Sequence, residues 1–573
     1  MNHFQRLLVE NIDLWSAADA EKLSKRGRSS TEAIHLYGIS KLRAVILGLA
    51  ANGSLVRGGN GDDALKLLKK IQDAREKLFS VALTKKFKPT KAISDTDTPF
   101  PLPKNWIWVR LGEISNFGST EKRNSIDDDT WVLDLEDIEK DTSKLLRKVR
   151  YAERRSLSDK NAFQAGDVLY GKLRPYLNKV LVADEGGVCT TEILPIRCYG
   201  PFVPEYFKYV LMSPYFLRYT TKISYGMKMP RLGTEDGRDA LFPLPPLDEQ
   251  RQIADKVGEL LLLCDGLENK SISVSLAHEA LVKNFLEILL DSRGSKEFEG
   301  NWNNISNIFD VLFTSESSIN LLKSSILQLG MQGRLTQQNP SDGSAQDLLK
   351  LIDYERTNSS FSGGQAKRRK ISPLVIDHLP QIPENWVWTQ NERISHEWGQ
   401  KTPLESFLYI DVSSIDSEHG VVSSPEIVSP KNAPSRARKI VRPGSVIYST
   451  IRPYLLNVAV IDEQFDIEPI ASTAFVVIHP WASISSRFIY YYLRSPTFID
   501  YVESVQAGIA YPAINDAQFY SAPFPLPPLS EQHRIVTVLE KLLRLCDEMK
   551  VRINHASALQ RKVADALVDK ALT

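Results

Sequence analysis

The side chains of this chain that could do chemistry are basic and aromatic residues in two turns, and each turn occurs twice. The first turn has Arg-Pro-Tyr-Leu at its centre, beginning at Arg174 and again at Arg452. A guanidinium donates paired hydrogen bonds to anionic oxygens, so these arginines, with Tyr176 and Tyr454, indicate a shared task such as holding phosphate. The structural alternative is an arginine that caps the turn and a tyrosine that packs beneath it.

The two copies of this turn differ on either side of the shared centre, where side chains could discriminate between ligands. A second turn keeps its glycine and proline, as a tight backbone turn requires, and also changes its side chains. An ordinary surface loop is the alternative for this second turn. The exchanged residues are Lys172, Asn178, Lys179, Lys228, Met229 and Arg231 in the first copy and Thr450, Leu456, Asn457, Ala510, Tyr511 and Ala513 in the second.

Motifs of catalytic chemistry are missing. The sequence has no GxxxxGK[ST], GxGxxG, GxSxG or HExxH motif, and no Asn/Asp-Pro-Pro-aromatic tetrapeptide of an amino-methyltransferase. Four cysteines without CxxC spacing and few, scattered histidines argue against a zinc site or a disulfide framework. Asp127–Asp129 is better explained as a solvated turn than as a metal site. Cys264 and Cys546 lie at matching positions in apolar helical stretches and are predicted to be buried.

The bulk composition indicates a multidomain globular protein. A chain of 573 residues, 42% hydrophobic and 25% charged, is too long for one core. It has neither an apolar run long enough to span a membrane nor a secretory signal at Met1–Glu10, so we expect a cytoplasmic protein. The net charge of +1 shows no overall basic excess. Two local stretches, 144–155 and 431–442, are strongly basic and are predicted to contact phosphate, with a solvated face as the alternative.

Both turns belong to a duplication that covers nearly the whole chain. The segment Phe242–Gln250, with the sequence Phe-Pro-Leu-Pro-Pro-Leu-Asp-Glu-Gln, recurs as Phe524–Gln532 with serine in place of aspartate. Leu102–Trp108 and Ile382–Trp388 share Pro-x-Asn-Trp-x-Trp at an earlier point of each copy. The shared tryptophans are expected to pack in a core or at a domain edge. Two copies of one long module indicate one task done twice.

Each copy has a helical part, a mixed part of short strands and turns, and a long helix. Pro245–Pro246 and Pro527–Pro528 exclude a helix upstream, so Asp248 and Ser530 are the expected N-caps. Apolar residues then recur in alternate steps of four and three, as in a coiled-coil seam, over about 40 residues or about 60 Å. That length favours a strut between domains over a helix packed on its own domain. The predicted divisions are 1–92 (helical), 93–247 (mixed), 248–378 (long helix, helical part and linker), 379–529 (mixed) and 530–573 (long helix).

These motifs, in this order, resemble the specificity subunit of type I restriction-modification enzymes. The resemblance rests on the Pro-Leu-Pro-Pro-Leu-x-Glu-Gln segment, the Arg-Pro-Tyr-Leu turn, the Pro-x-Asn-Trp-x-Trp segment and the helical element that begins at Lys41, and it covers residues 35–573. It implies an α+β fold: two mixed α/β target-recognition domains in tandem, separated and connected by long helices that form an antiparallel coiled coil.

The resemblance also implies a non-catalytic chain whose two domains each read one half of a split, asymmetric site in double-stranded DNA. Such readers should lie about 34 Å apart, a spacing that helices of about 60 Å can set. The helices would dock two modification subunits, and restriction subunits are expected as further partners. S-adenosylmethionine, ATP and Mg²⁺ are then expected on the partners, and none on this chain.

Under this resemblance the turns and basic stretches become candidate DNA contacts. Arg231 could bind guanine through two hydrogen bonds, and Tyr511 could stack on a base or contact its edge. A coiled-coil scaffold with two protein-binding domains remains an alternative, in which turns and basic stretches would lie on unrelated faces. The full set of candidates is Arg154, Arg155, Lys172, Arg174, Tyr176, Asn178, Lys179, Lys228, Arg231, Arg436, Arg438, Lys439, Arg442, Arg452, Tyr454, Asn457 and Tyr511.

Overall fold

A computed structural model describes residues 10–16, 20–22, 34–56, 63–81, 90–123, 125–154, 160–358, 374, 379–462, 464–481, 484–508 and 511–572. The chain divides into two compact units, residues 1–276 with 556–573 (unit 1) and residues 277–555 (unit 2). Each unit contains a helical part, a mixed part and portions of both long helices. Arg155 and the basic 367–370 segment lie outside the described residues.

Unit 1 begins with short elements and two helices. Leu42, Ile46 and Leu49 recur at helical spacing and are buried. The bounds are α1 Ile12–Ser16, β1 Ala20–Lys22, β2 Ile34–Leu36, α2 Tyr37–Ala51 and α3 Ala64–Val81.

The mixed part of unit 1 consists of two small sheets and a two-stranded ribbon. Its strands are β3 Ile107–Arg110, β4 Trp131–Leu133, β5 Val149–Arg150, β6 Lys160–Phe163, β7 Val168–Gly171, β8 Val180–Val182, β9 Gly187–Thr190, β10 Ile193–Ile196 and β11 Leu241–Leu244. Its helices are α4 Leu111–Ile114, α5 Pro204–Met212, α6 Pro214–Ile223 and α7 Thr234–Arg238. The sheet orders are β5-β4-β9-β6, in which β4 and β9 are parallel, and β10-β7-β8, while β3 pairs with β11.

The helical part of unit 2 follows the first long helix, α8, which spans Leu247–Leu290. Among its side chains Ile319, Leu322 and Ile326 are buried, as their counterparts in unit 1 are. Its bounds are α9 Ser295–Asn307, α10 Phe309–Leu312, α11 Glu316–Met331 and α12 Ala345–Asn358.

The mixed part of unit 2 repeats the topology of unit 1. Its strands are β12 Val387–Gln390, β13 Ser395–His396, β14 Phe407–Ile410, β15 Ile415–Asp416, β16 Val421–Val422, β17 Glu426–Val428, β18 Ala437–Ile440, β19 Val446–Ser449, β20 Val458–Val460, β21 Pro469–Ser472, β22 Phe475–Pro480 and β23 Pro523–Leu526. Its helices are α13 Asn391–Ile394, α14 Ser486–Tyr492, α15 Pro496–Val505 and α16 Asp516–Tyr520, followed by α17 Leu529–Leu572. The orders β17-β14-β21-β18 and β13-β22-β19-β20 correspond to the two sheets of unit 1, with β14 and β21 parallel.

The two repeated sequence motifs are the two strands of one ribbon in each unit. Trp108 of β3 lies opposite Pro243 of β11, and Trp388 of β12 lies opposite Pro525 of β23. Proline donates no backbone hydrogen bond and is tolerated in such a ribbon because it has unpaired edges. The chain therefore enters and leaves each mixed part at adjacent strands.

The Glu-Gln end of the repeated motif joins the start of each long helix to its ribbon. The Glu249 carboxylate, which is buried, accepts hydrogen bonds from the Trp106 indole at 2.7 Å and from Asn105 at 2.5 Å. In unit 2, Glu531 accepts from Trp386 at 2.9 Å and from Gln338 at 2.5 Å. We call these contacts the helix-start latches. They confirm the prediction that these tryptophans pack internally.

The adjacent glutamines of the motif complete the same arrangement. Gln250 accepts from the Val203 backbone N–H at 3.0 Å and donates to the Pro245 carbonyl at 3.1 Å. Gln532 makes the equivalent bonds to Ser485 at 2.9 Å and to Pro527 at 3.0 Å. The motif thus satisfies backbone groups at the point where strand changes to helix.

The two long helices are 44 residues each and begin one residue before the predicted N-caps, because Leu247 and Leu529 are already helical. Ile253, Val257 and Cys264 of the predicted seam are buried in the core of unit 1, a core that also contains Ala564 from the end of α17. Each unit thus holds the first part of one long helix and the last part of the other, so the helices are antiparallel. The seam residues therefore pack on their own unit, as the second interpretation of the helices predicts.

Burial raises the pKa of the Cys264 and Cys546 thiols to about 11, as expected of cysteines that serve as small apolar side chains. Both thiols are buried and outside any disulfide. Among the described helices, none combines the length and apolar character that a membrane span needs.

Candidate nucleic-acid interface

The two turns of each copy lie side by side, joined by backbone hydrogen bonds. In unit 1 the Arg174 N–H donates to the Pro230 carbonyl at 2.7 Å, and the Leu232 N–H donates to the Lys172 carbonyl at 3.0 Å. We call residues 171–179 with 224–232 loop pair 1. The two turns are separate candidates in the sequence, and the fold brings them together into one surface.

Unit 2 has the same arrangement, which we call loop pair 2, residues 449–457 with 506–514. The Arg452 N–H donates to the Pro512 carbonyl at 2.8 Å, and the Ile514 N–H donates to the Thr450 carbonyl at 3.1 Å. Ile509 and Ala510 fall outside the described residues. The equivalence of the backbone contacts means that side chains at matching positions can be compared directly.

Each loop pair holds two non-glycine residues in the left-handed region of backbone space. The φ angles are 50° for Arg174, 52° for Asn178, 50° for Arg452 and 49° for Leu456. L-residues rarely adopt this region, and such strain concentrates at functional sites. The strain is shared by both copies, so it belongs to the common backbone that presents the differing side chains.

The exposed side chains of loop pair 1 are a mixture of basic, aromatic and thioether groups. Tyr176 and Lys228 are exposed, so Tyr176 is not packed beneath the turn. Arg231 lies at 3.2 Å from the Glu192 carboxylate, in a half-exposed ion pair. Among the described residues, no carboxylate forms an ion pair with Lys172 or Lys228. This surface can therefore offer uncompensated positive charge.

Loop pair 2 offers a different set of groups on the same backbone. Tyr454 and Tyr511 are 57% and 68% exposed, and the Arg452 guanidinium lies 5.0 Å from the centre of the Tyr511 ring. Ala513 replaces Arg231, and Asn457 is half-buried. An aromatic ring paired with a guanidinium suits stacking on planar groups.

Two candidate residues of loop pair 1 point inward. The Asn178 amide donates to the Met212 carbonyl at 3.0 Å, and the Lys179 ammonium donates to the Leu135 carbonyl at 2.7 Å. Burial lowers the pKa of Lys179. Both side chains are engaged in hydrogen bonds within unit 1.

Comparison with known proteins decides the family. Over 99% of its length the chain is 30% identical to the type I restriction enzyme EcoEI specificity subunit of Escherichia coli, and 99% of that protein is covered. The EcoAI specificity subunit of the same organism gives the same figures. The chain belongs to the family of type I restriction-modification specificity subunits.

Two further findings accompany this assignment. The family described as "Type I restriction modification DNA specificity domain" matches residues 409–556. A solved chain described under "Structural basis underlying complex assembly and conformational transition of the type I R-M system" is 19% identical, with a TM-score of 0.48 over 83% of this chain and 99% of that chain.

In the basic stretch 144–155 of this specificity subunit, the basic residues that the structure describes pair with acids outside the stretch. Lys144 pairs with Asp265 at 2.6 Å, and Arg150 pairs with Glu185 at 2.7 Å. Arg154 pairs with the fully buried Asp137. The prediction of phosphate contacts rests on the charges within the stretch alone, and these partners compensate the charge of its described basic residues. The remaining pairs are Arg147 with Asp137 at 2.7 Å and Lys148 with Asp184 at 2.9 Å.

The stretch 431–442 in unit 2 keeps more of its charge exposed. Arg436 and Arg442 are exposed, and the Arg442 guanidinium lies 3.8 Å from the Trp398 ring. Lys439 is buried and pairs with Asp516 at 3.2 Å, so it acts within the fold. Arg438 donates to the Ala437 carbonyl at 2.9 Å. Arg436 and Arg442 remain suited to phosphate.

Two features of these sites are not among the residues predicted from the sequence. One is Glu192, which pairs with Arg231. Alignment of the two copies could have found it, because Glu192 corresponds to Ala474 just as Arg231 corresponds to Ala513. The other is a cluster of histidine and tryptophan rings beneath Arg442, for which the sequence offers no periodic signal. In the described ranges, no group of three or more His, Cys, Asp or Glu side chains is placed to hold a metal ion.

Proposed function

We propose that each mixed part of this specificity subunit reads one half of a bipartite, asymmetric site in double-stranded DNA. Loop pairs 1 and 2 would supply the contacts that distinguish bases, while the shared arginines and tyrosines hold phosphate and set the register. The chain itself would be non-catalytic. S-adenosylmethionine, ATP and Mg²⁺ would be bound by modification and restriction subunits.

The observation that carries this proposal is the sameness of the loop backbones and the difference of their side chains. The same hydrogen bonds support both loop pairs, yet loop pair 1 presents Met229 and Arg231 where loop pair 2 presents Tyr511 and Ala513. One scaffold with two chemistries suits the reading of two different half-sites. A protein-binding scaffold would not require the two turns to share one surface.

The long helices would dock the modification subunits. In unit 1, Leu262 and Leu263 of α8 are 71% and 58% exposed, and in unit 2 Leu545 and Val551 of α17 are 47% and 68% exposed. Large apolar side chains in such positions mark a partner surface. Leu263 and Leu545 occupy equivalent positions of the two copies, which supports the docking of two like subunits.

Methylation mapping tests the proposal. The chain would be expressed with its modification subunits, and methylated adenines would be mapped across the host DNA. We expect one two-part sequence with an unspecified spacer. Methylation spread evenly over unrelated sequences would contradict the proposal.

A further inference from the structure

Glu192 and Arg231 form a pair at the edge of loop pair 1. The Glu192 carboxylate oxygens lie 3.2 and 3.3 Å from the Arg231 Nε and 3.2 Å from its Nη2. The side chains are 29% and 35% exposed, so the pair is open to a ligand at the surface. The carboxylate therefore occupies one side of the guanidinium fork.

The backbone holds this pair in place. The Glu192 carbonyl accepts a hydrogen bond from the Lys172 N–H at 2.9 Å, and Arg231 exchanges backbone hydrogen bonds with Tyr225 at 2.9 and 3.1 Å. Glu192 immediately precedes β10, which pairs along β7. Both members thus project from segments whose positions are fixed by the sheet and by the loop pair.

Unit 2 lacks both members at the equivalent positions. The Thr450 N–H donates to the Ala474 carbonyl at 2.9 Å, and Ala513 exchanges backbone hydrogen bonds with Ala507 at 3.0 Å, which repeats the contacts of Glu192 and Arg231. The methyl groups of these two alanines cannot donate hydrogen bonds. The glutamate and the arginine of this pair therefore occur together in unit 1, and both are replaced by alanine in unit 2.

We propose that Glu192 is a positioning residue that orients Arg231 to read a guanine in the first half-site. A guanidinium has five N–H donors, and with its Nε side held by Glu192 the Nη1 and Nη2 end remains available. That end matches the O6 and N7 acceptors of guanine in the major groove. The second half-site would have no guanine read in this way at the equivalent position. This inference rests on the proposed function.

Fixing the guanidinium plane before binding matters because an arginine side chain loses rotamer freedom when it is immobilised at an interface. The ion pair already restricts the Arg231 side chain in the free protein, so less rotamer freedom is lost when DNA binds. Loss of Arg231 removes the contact itself, whereas loss of the Glu192 charge leaves the contact possible but less well oriented.

Methylation mapping of variants tests the inference. Arg231→Ala should reduce discrimination at one G·C position of one half-site by about 5-fold to 150-fold. Glu192→Gln should relax the same position by about two- to tenfold, and the other half-site should be unchanged in both variants. Arg150→Ala and Glu185→Gln, which break a similarly exposed pair in the same unit, serve as matched controls and should change no position.

The outcomes separate the inference from the proposed function. If the unaltered complex methylates no two-part sequence, the proposed function fails and the inference fails with it. If it does, relaxation of different positions by the two variants would overturn the inference alone. The inference would also be overturned if Glu192→Gln lost methylation equally at every site, because a purely structural role for Glu192 predicts that result.

Discussion

Single side chains of unit 2 form a ring cluster that should respond to acid. His396 lies 4.9 Å from Trp398, 4.7 Å from Trp481 and 5.1 Å from His479, measured between ring centres. Burial, and then the neighbouring His479 and Arg442, lower the pKa of His396 to about 4. The folded protein therefore favours the neutral ring.

The sign of the resulting pH dependence follows from linkage. Unfolded His396 takes up a proton near its ordinary value of 6.5, whereas the folded form does so only near pH 4. Stability contributed by the neutral ring is therefore present above pH 6.5 and is lost as the pH falls towards 4. We expect His396→Phe to have a shallower fall in unfolding free energy over this range in urea titrations. Equal slopes for the two proteins would contradict this account.

At the scale of single residues, the sequence indicates which side chains are candidates for function but not which side chains they pair with. Arg231 stands out because its counterpart is alanine, but the pairing with Glu192 depends on the contact of β10 with the loop pair. The local basic excess predicts a phosphate contact for Arg150, whereas its acid partner, Glu185, lies outside that stretch. Local charge counts cannot reveal which charges the fold compensates.

At the scale of elements, the helix-start latches should be major determinants of stability. Glu531→Ala leaves the Trp386 indole and the Gln338 amide without their buried acceptor. We expect a loss of about 3 kcal/mol in unfolding free energy, measured by urea denaturation. Glu548→Ala, an exposed position on the same helix, should change it by less than about 0.5 kcal/mol. Equal effects would show that the latch contributes little.

The two basic stretches should contribute unequally to DNA affinity. Each phosphate contact that is lost lowers the slope of log affinity against log salt by about 0.9. We expect Arg436→Ala to reduce the slope of the assembled complex by about that amount. Lys148→Ala should leave it unchanged, because Lys148 pairs with Asp184 and Glu185. If Lys148→Ala reduced the slope and Arg436→Ala did not, the assignment of phosphate contact to Arg436 would be contradicted.

The elements themselves are largely predictable, for a physical reason. The spacing of Ile253, Val257 and Cys264 reflects one buried helix face, and proline pairs exclude helix before it. The parallel pairing of β4 with β9 and of β14 with β21 was not predictable. These strands are three or four residues long and far apart in sequence, so no local pattern specifies their partners.

At the scale of the whole molecule, the exposed leucines of the long helices should determine assembly. Leu263→Glu and Leu545→Glu place a charge where we propose that modification subunits pack. Each should weaken assembly by at least about tenfold in sedimentation measurements, with unchanged helical content by circular dichroism. Lys256→Glu, an exposed charge reversal on α8, is the control and should assemble normally. Normal assembly of both leucine variants would place the docking surface elsewhere.

The modular organisation of the molecule makes the central claim directly testable. The first and last strands of each mixed part pair in one ribbon, so residues 93–247 can be exchanged for the corresponding part of a relative with another specificity. The measurement is methylation mapping of the complex before and after this exchange. We predict that one half of the two-part site changes and the other half is kept. A change in both halves, or in neither, would contradict the claim that each mixed part reads its own half-site.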